Sequence, residues 1–413
     1  MAIDSELLVV GGGLAGLTTA VTAAREGVDV RLVSYKQSTL RNASGLVDVL
    51  GYTPDGEGPL TDPFAAIPEL PDDHPYRTVG VDGVRSAMDV FDEVTDYRGG
   101  HTDTNALLPT HGGTVKPTAR YPPGAAAGVA SDDRDVLLVG LQSMTDFDAP
   151  HVAAHLEAAG VPFDVSGVTI QFPGDLQADA KVTRYAKLLE TDPATRDGFV
   201  ERIEANRSGQ QRIGLPAVLG DDDHDRVRTH LESELGAAVF EVPSGPPSLP
   251  GLRLEDALFS ALDSAGGSFE TGNPVVDYEG DDRIDHVLVE KSGTEVPYSA
   301  DQYVLATGGL VGKGIDSDRE GVYEPIFDCH VDHAEDRYEW FDGDVFGDHP
   351  FARYGVDTDD RLRVLDADGD PQFDNLRAAG GVLGGYDYAA EKSGSGVSIA
   401  TGYHAATAAT EEL

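Results

Sequence analysis

The chain has 413 residues, 40% hydrophobic, with 49 glycines, enough for two or three globular domains and inconsistent with a disordered polymer. It carries 73 acidic against 30 basic residues, a net charge of −43, which excludes nucleic acid and anionic lipid headgroups as direct partners. One cysteine, Cys329, excludes an internal disulfide, a multi-cysteine zinc site and a four-cysteine iron–sulfur cluster.

The N-terminal stretch organises the rest. Leu7–Val10 reads as a short buried strand, Gly11, Gly13 and Gly16 follow at G-x-G-x-x-G spacing, and an Ala-rich helical run begins. In such a turn the first glycine permits the bend, the second admits a pyrophosphate, and the third lets helix and strand pack closely. The helix N-terminus offers N–H groups and positive dipole to phosphate. Asp4 and Glu6 precede the strand at once, so no secretory leader is expected. Val28–Val33 is the second strand. Its end is where an acidic residue meets a ribose hydroxyl in dinucleotide folds, and here it reads Ser34-Tyr35-Lys36.

Gln37–Leu50, with Ser44 and Gly45 at its centre, reads as a loop lying close to something flat or bulky, or as an ordinary surface loop. Gly51–Pro75 is irregular, Val84–Val94 helical, and 95–128 a mixture of short extended pieces and turns. A βαβ pattern without the glycine fingerprint starts at Asp135–Leu141, continues through a helix over 150–159 and resumes extended at Val161–Val165. Helices at 182–189, 197–205 and 224–235, the stretch Arg212–Ala217 and a strand at 238–242 complete this part. Pro243–Gly251 is a stiff linker, followed by a helix at 254–265 and a hairpin of 274–278 with 284–291. The strand Gln302–Leu305 ends in Ala306-Thr307-Gly308-Gly309. Leu376–Ala379 ends in Gly380-Gly381, and Ser393-Gly394-Ser395-Gly396 opens the last helix, 397–409. No apolar run approaches the roughly 18 residues that span a bilayer. The expected fold is α/β: a Rossmann-like FAD/NAD(P)-binding domain from both chain ends, 1–75 plus 246–413, with an inserted α/β domain over 76–245.

Separated glycine-rich pieces, Gly11–Leu17, Ala306–Gly309, Ala379–Gly385 and the opening of the last helix, resemble two-domain flavoproteins of the fumarate-reductase-like class. Longer stretches narrow this. The chain resembles the B subunits of anaerobic glycerol-3-phosphate dehydrogenases through Ser44–Asp48, GLQSMTDF at 140–147, PPSLPGLRL at 246–254, REGVYEPI at 319–326 and VLGGYD at 382–387. The resemblance implies oxidation of sn-glycerol 3-phosphate to dihydroxyacetone phosphate, with electrons passed to the quinone pool. It also implies FMN as cofactor, with FAD as the alternative, and two partners, a FAD-containing A subunit and an iron–sulfur C subunit. The implied place is cytoplasmic, peripheral at the inner face of the membrane through those partners.

The cofactor-binding candidates are Gly11, Gly13, Gly16, Ser34, Ser44, Gly45, Gly308, Gly381, Gly394 and Gly396. Gly45 would admit the isoalloxazine ring, and Gly394–Gly396 would turn a helix dipole toward the reduced flavin. Flavoproteins of this class carry Gly-Asp where this chain has Gly380-Gly381. Arg253 is the candidate for a substrate or cofactor phosphate, since a guanidinium binds phosphate bidentately; Arg319 and Glu324 are weaker ones. No catalytic base is assignable: His330, His333 and His404 are guesses. No metal site is expected: His151 and His155 lack the zincin Glu, and Cys329 reads as a buried structural thiol. Two other readings stand beside the flavin subunit. One is a flavin-free scaffold that assembles the complex. The other is a stand-alone flavin dehydrogenase of another small molecule. The acidic composition suits molar salt, where the Debye length falls to about 3 Å, and implies a salt-adapted organism.

Overall fold

The computed structural model describes residues 3–36, 38–174, 176–177 and 180–413; Gln37 of the expected loop lies outside them. The chain divides into two compact units. One gathers Met1–Thr39, Asp48–Thr95 and Asp256–Leu413; the other gathers Leu40–Val47 and Asp96–Glu255.

The first unit is built on a seven-stranded mixed sheet. Its apolar run Leu7–Val10 ends the strand Ile3–Val10, wholly buried between parallel neighbours Thr294–Leu305 and Val30–Ser34. Continuous apolar runs of this kind suit a parallel sheet covered on both faces. Ser268–Thr271 adds beyond the second strand, and Leu376–Ala378 pairs with the carboxyl end of Thr294–Leu305. The expected hairpin is present as Val275–Gly280 with Ile284–Lys291, antiparallel, and leads into the long strand Thr294–Leu305. The first helix, Leu14–Arg25, is buried along nearly its whole length and packs on the last helix, Gly394–Thr410. Small side chains on both make that approach possible: a Cβ at Gly402 would lie 2.6 Å from the Ala15 carbonyl oxygen.

The second unit has a four-stranded parallel sheet in the order Val165–Ile170, Val136–Leu141, Arg212–Pro216, Ala238–Val242. Helices Ala149–Ala158, Val182–Thr191, Pro193–Glu204 and His224–Leu235 cover it over a core that includes Leu138, Phe147, Tyr185, Phe199 and Phe240. Arg212 is fully buried there. Its guanidinium donates to the carbonyls of Ala127, Val129, Asp132 and Arg134, so the charge is spent on loop backbone.

The boundaries differ from the expected 75/76 and 245/246. The helix Pro75–Val94 packs on the last helix and so joins the first unit; it begins nine residues before the sequence periodicity, across a non-helical Gly80. The last three residues of the expected linker, Leu249–Gly251, are the start of a helix, Leu249–Ser264, inside which the later boundary falls. Extended structure expected at Val161–Val165 begins only at Val165, because Gly160 and Pro162 keep the preceding residues in a turn.

Candidate functional site

Strand register builds the site. Val10 lies opposite both Val33 and Leu305, and Leu305 lies opposite Ala378. Four strands therefore end at one level, and each runs directly into a candidate stretch: Gly11–Gly16, Ser34, Ala306–Gly309 and Ala379–Gly381. Ligands of open α/β sheets bind outside the carboxyl ends of the strands.

The glycines divide their work. Gly11 has φ +118°, and a Cβ there would overlap the Ala306 carbonyl; its N–H donates to the Val33 carbonyl at 2.8 Å. A Cβ at Gly16 would overlap the Gly11 carbonyl oxygen, so this glycine sets the helix–turn distance. Gly13, the N-cap of the first helix, is different. Nothing lies within 4 Å of where its Cβ would stand, no side chain caps the helix, and no acid occupies its first turn. The first-turn N–H groups of a helix have no intrahelical partners, so this end presents donors and positive dipole toward open space. Gly309 packs on the Gly381 carbonyl, and a Cβ at Gly380 would press the Ala15 Cβ at 2.5 Å. The late turn thus closes over the start of the first helix.

Two further groups complete this edge, neither among the sequence candidates. Thr307 Oγ1 is buried and has no hydrogen-bond partner. Its signal was present: a polar residue set between a buried strand and a glycine pair. Asp48 Oδ1 accepts from the Ser395 N–H at 3.0 Å and so caps the last helix. A Cβ at Gly396 would overlap the Tyr76 hydroxyl and stand 2.7 Å from the Asp48 carbonyl. Gly396 is therefore a packing glycine, and the helix end expected to face a flavin is already engaged by a carboxylate. Gly394 is less crowded, 3.2 Å from the Tyr388 Cβ. Beneath lies a buried chain: His74 Nε2 meets Glu391 Oε2 at 3.1 Å, Ser393 Oγ donates to the same carboxylate at 2.9 Å, and Tyr76 Oη donates to the Val49 carbonyl at 2.6 Å. Burial first, then the nearby Asp48 carboxylate, pushes the Tyr76 hydroxyl well above its ordinary pKa. It stays a neutral donor.

Ser44, Gly45 and Arg253 belong to the second unit. Ser44 Oγ accepts from the Leu46 N–H at 3.2 Å. Gly45 has φ +72°, and a Cβ would stand 2.5 Å from the Pro250 Cβ, so its glycine is explained within the unit. Arg253 is committed elsewhere. Its guanidinium donates to Glu241 at 2.6 and 3.2 Å and to the Gly220 carbonyl, and the side chain is only 10% exposed. Burial pushes the Glu241 carboxyl up, but Arg253 and the Leu219 N–H outweigh it and the net shift is downward. This is a buried structural ion pair, not a guanidinium waiting for phosphate.

Residues 6–397 match a family model described as FAD binding domain. The chain is 66% identical over its whole length, and 99% of the relative's, to a Halobacterium salinarum protein named as the probable B subunit of anaerobic glycerol-3-phosphate dehydrogenase. It is 29% identical, over 95% of each chain, to the B subunit of the anaerobic glycerol-3-phosphate dehydrogenase of Yersinia enterocolitica. The chain belongs to this family of B subunits.

Among solved structures, 3-ketosteroid Δ1-dehydrogenase from Sterolibacterium denitrificans covers 99% of the chain at 12% identity and a TM-score of 0.45. The B-subunit family accounts for the fold: a Rossmann-like unit of FAD-binding type. The turn fits such a group on its own evidence, through the open face of Gly13, the uncapped helix end and the unpartnered Thr307 hydroxyl. The expectation of FMN came from the resemblance to B subunits, and the absent carboxylate at Ser34 agreed with it. The matched family model is one of FAD binding, which moves the weight from FMN to FAD. At Ser34 itself, Oγ donates to the Lys36 carbonyl at 3.0 Å. With its proton so engaged, the hydroxyl oxygen keeps its lone pairs for accepting, the polarity a carboxylate would offer.

The remaining signals in this B-subunit chain resolve simply. The His151 and His155 rings lie 4.1 Å apart, tilted by 47°, on an exposed helix face, and among the described residues no three His, Cys, Asp or Glu side chains are grouped to hold a metal. Cys329 is buried, and its thiol is pushed well above its ordinary pKa by burial and by Glu324, so little thiolate forms. Glu324, fully buried, accepts from the Ile326 and Phe327 N–H groups at 2.9 and 2.7 Å and holds that turn. His333 Nδ1 meets the Val331 carbonyl at 2.8 Å, and His404 Nε2 meets the Asp360 carbonyl at 2.9 Å. None of these stands at the glycine edge.

Proposed function

We propose that this chain is the flavin-carrying B subunit of an anaerobic glycerol-3-phosphate dehydrogenase. The reaction proposed for the complex is oxidation of sn-glycerol 3-phosphate to dihydroxyacetone phosphate, with electrons passed to the quinone pool. The observation that carries the reading is a full-length family likeness joined to an intact, open anion cradle at Gly11–Gly16. The cofactor we propose is FAD, with FMN as the alternative. Its pyrophosphate would lie at the first helix N-terminus over Gly13, with Ser34 Oγ accepting from a ribose hydroxyl and Thr307 Oγ1 donating toward the cofactor. When bound, the flavin supplies two-electron acceptance and one-electron release. The chain's own residues bind and orient: Gly11 and Gly16 set the turn, while Gly308, Gly380 and Gly381 bring the late turns over it. Arg253 is left out of the phosphate site because Glu241 holds it. The partners proposed are a FAD-containing A subunit and an iron–sulfur C subunit, and association with the inner face of the membrane is assigned to them. No helix among the described residues is long and apolar enough to cross a membrane.

The test is cofactor content. Purified in molar KCl with its partners, the protein is expected to be yellow and to release FAD on denaturation. Released FMN would mean that Ser34 takes no ribose. A colourless protein would sink the flavin reading and leave the scaffold, and a chain that never co-purifies with a partner would favour a stand-alone enzyme.

A further inference from the structure

An acidic chain in strong salt should hide its large apolar side chains, because salts excluded from protein surfaces strengthen the drive to bury them. Residues 338–351 of the first unit do the opposite. Of twelve exposed large hydrophobic residues among those described, five fall in this stretch. They are Tyr338, Phe341, Val345, Phe346 and Phe351, with Phe346 97% and Val345 80% exposed.

The display is built rather than slack. Trp340 Nε1 donates to the Ala334 carbonyl at 2.7 Å, and the Phe351 N–H donates to the Trp340 carbonyl at 3.0 Å, which ties the ends of the loop together. Asp344 Oδ1 accepts from the Phe346 N–H at 3.1 Å, and His349 Nε2 meets the Val345 carbonyl at 3.1 Å. His349 Nδ1 accepts from the Asp342 N–H at 3.1 Å, and the His349 ring stacks on Phe351 at 5.3 Å. A Cβ at Gly347 would stand 2.5 Å from the Asp342 carboxyl carbon, so the two positions pack against each other across the turn. The tip Val345–Phe346 is therefore braced by hydrogen bonds on both sides, and such bracing lowers the entropy lost on docking.

Charge selects the occupant. Exposed carboxylates Glu335, Asp336, Glu339, Asp342 and Asp344 surround the apolar tip, against one cation in the same span, Arg337, whose guanidinium lies over Tyr338; Asp348 is already paired with Arg353. Such a rim repels an anionic lipid surface, and a second copy would bring like charges together. In molar salt only ion pairs at contact distance survive screening, so a complementary face must place its cations directly against these carboxylates.

We propose that the loop 336–351 is the surface by which this chain docks onto another subunit of the same dehydrogenase, one that presents an apolar socket rimmed by Lys and Arg. The inference rests on the reading of this chain as a B subunit. Phe346 is the anchor, an aromatic centre that docking would bury inside a charged rim, as in interfaces whose binding energy is concentrated in a few residues.

The experiment uses the assembled dehydrogenase, co-expressed in a salt-adapted host and purified in molar KCl. A photo-reactive benzoylphenylalanine replaces Phe346, and separately Val345→Ser is combined with Phe346→Ser. The cross-link is expected on a partner-subunit peptide flanked by Lys or Arg. The double variant should elute and melt as the parent does, yet bind its partner at least tenfold more weakly, while Val276→Ser, exposed elsewhere, changes nothing. Cross-links to a second copy of the chain or to lipid, or a double variant that assembles as tightly as the parent, would overturn the proposal. Should the parent chain itself bring down no partner, the B-subunit reading falls, and this inference with it. An intact parent complex beside an unaffected variant overturns the docking surface alone.

Discussion

Gly13 and Gly16 lie three residues apart and make opposite predictions. Gly16→Ala forces a methyl group onto the Gly11 carbonyl oxygen, so the turn must open; we expect a loss of roughly 1–3 kcal/mol in stability, the usual range for overpacking, read by denaturant melts in molar KCl. In Gly13→Asp the new Cβ meets no atom within 4 Å and a carboxylate is added at a helix N-cap, so the protein should fold at least as well. It should nonetheless lose its flavin, since the carboxylate occupies the anion's place. Retained flavin in Gly13→Asp would remove the pyrophosphate from this turn. Arg253 shows where residue-level reading fails. The sequence placed it in a distinctive stretch and offered guanidinium chemistry, but nothing in it said that Glu241, twelve residues earlier on the neighbouring strand, points at the same spot. Removing it by Arg253→Met leaves a buried carboxylate unpaired and should cost about 3–5 kcal/mol, whereas the pair Arg253→Met with Glu241→Gln should recover much of that loss.

At the scale of elements, the anchoring of the last helix is the feature with most at stake. Its N-terminus is capped by Asp48 from a loop nearly 350 residues earlier in the chain, and its second glycine seats against Tyr76. Asp48→Ala removes one cap and is expected to cost about 1 kcal/mol. Fraying should appear as faster amide exchange confined to 393–398, measured by mass spectrometry. This level was also where the chain was most legible. The strand Leu7–Val10, the helix 224–235 and the strand 238–242 are read correctly because hydrophobic period, glycine stops and β-branched content agree there. Legibility failed where the deciding contact is remote. Pro75–Gly83 is helical because it packs on the last helix, and Ser268–Thr271 is a strand because the second strand offers it an edge. Neither has a strong local signal. The glycine edge lies between these cases: each turn announced itself, but that four of them share one level follows from register alone.

For the whole molecule, charge is the controlling quantity. With a net −43, dilution from molar to about 0.1 M salt lengthens the Debye range from about 3 to about 10 Å and lets surface carboxylates repel one another. Tm is expected to fall steadily as KCl is diluted, and a flat response would contradict salt adaptation. Acid should act unevenly. Glu241, in the second unit, has a lowered carboxyl pKa, so its contribution is full above the unfolded value, about 4.3, and is lost as pH falls through the folded one. Glu324, in the first unit, is raised by burial; the folded state holds its proton more tightly than the unfolded chain, and acidification favours that fold. In the first unit the lowered Glu270 and Glu412 are set against the raised Glu324 and Asp357, whereas in the second Asp132 and Asp192 are lowered along with Glu241. Brief pepsin digestion near pH 3 should therefore cut within 96–255 first.

The interleaving of the chain has a consequence in time. The second unit comes almost wholly from one continuous stretch, 96–255, but the first strand of the first unit waits for Thr294–Leu305, to which Val10 is joined at Leu305. At about 5–20 residues per second, roughly 15–60 s of translation separate the emergence of those two strands. During that interval Leu7–Val10, four buried aliphatic side chains in the finished protein, has no parallel partner on its Thr294–Leu305 side. The ribosome thus releases the later-starting unit as the earlier-finished one. The strand that leads into the Gly11–Gly16 turn must be kept from wrong company until Thr294–Leu305 has been made.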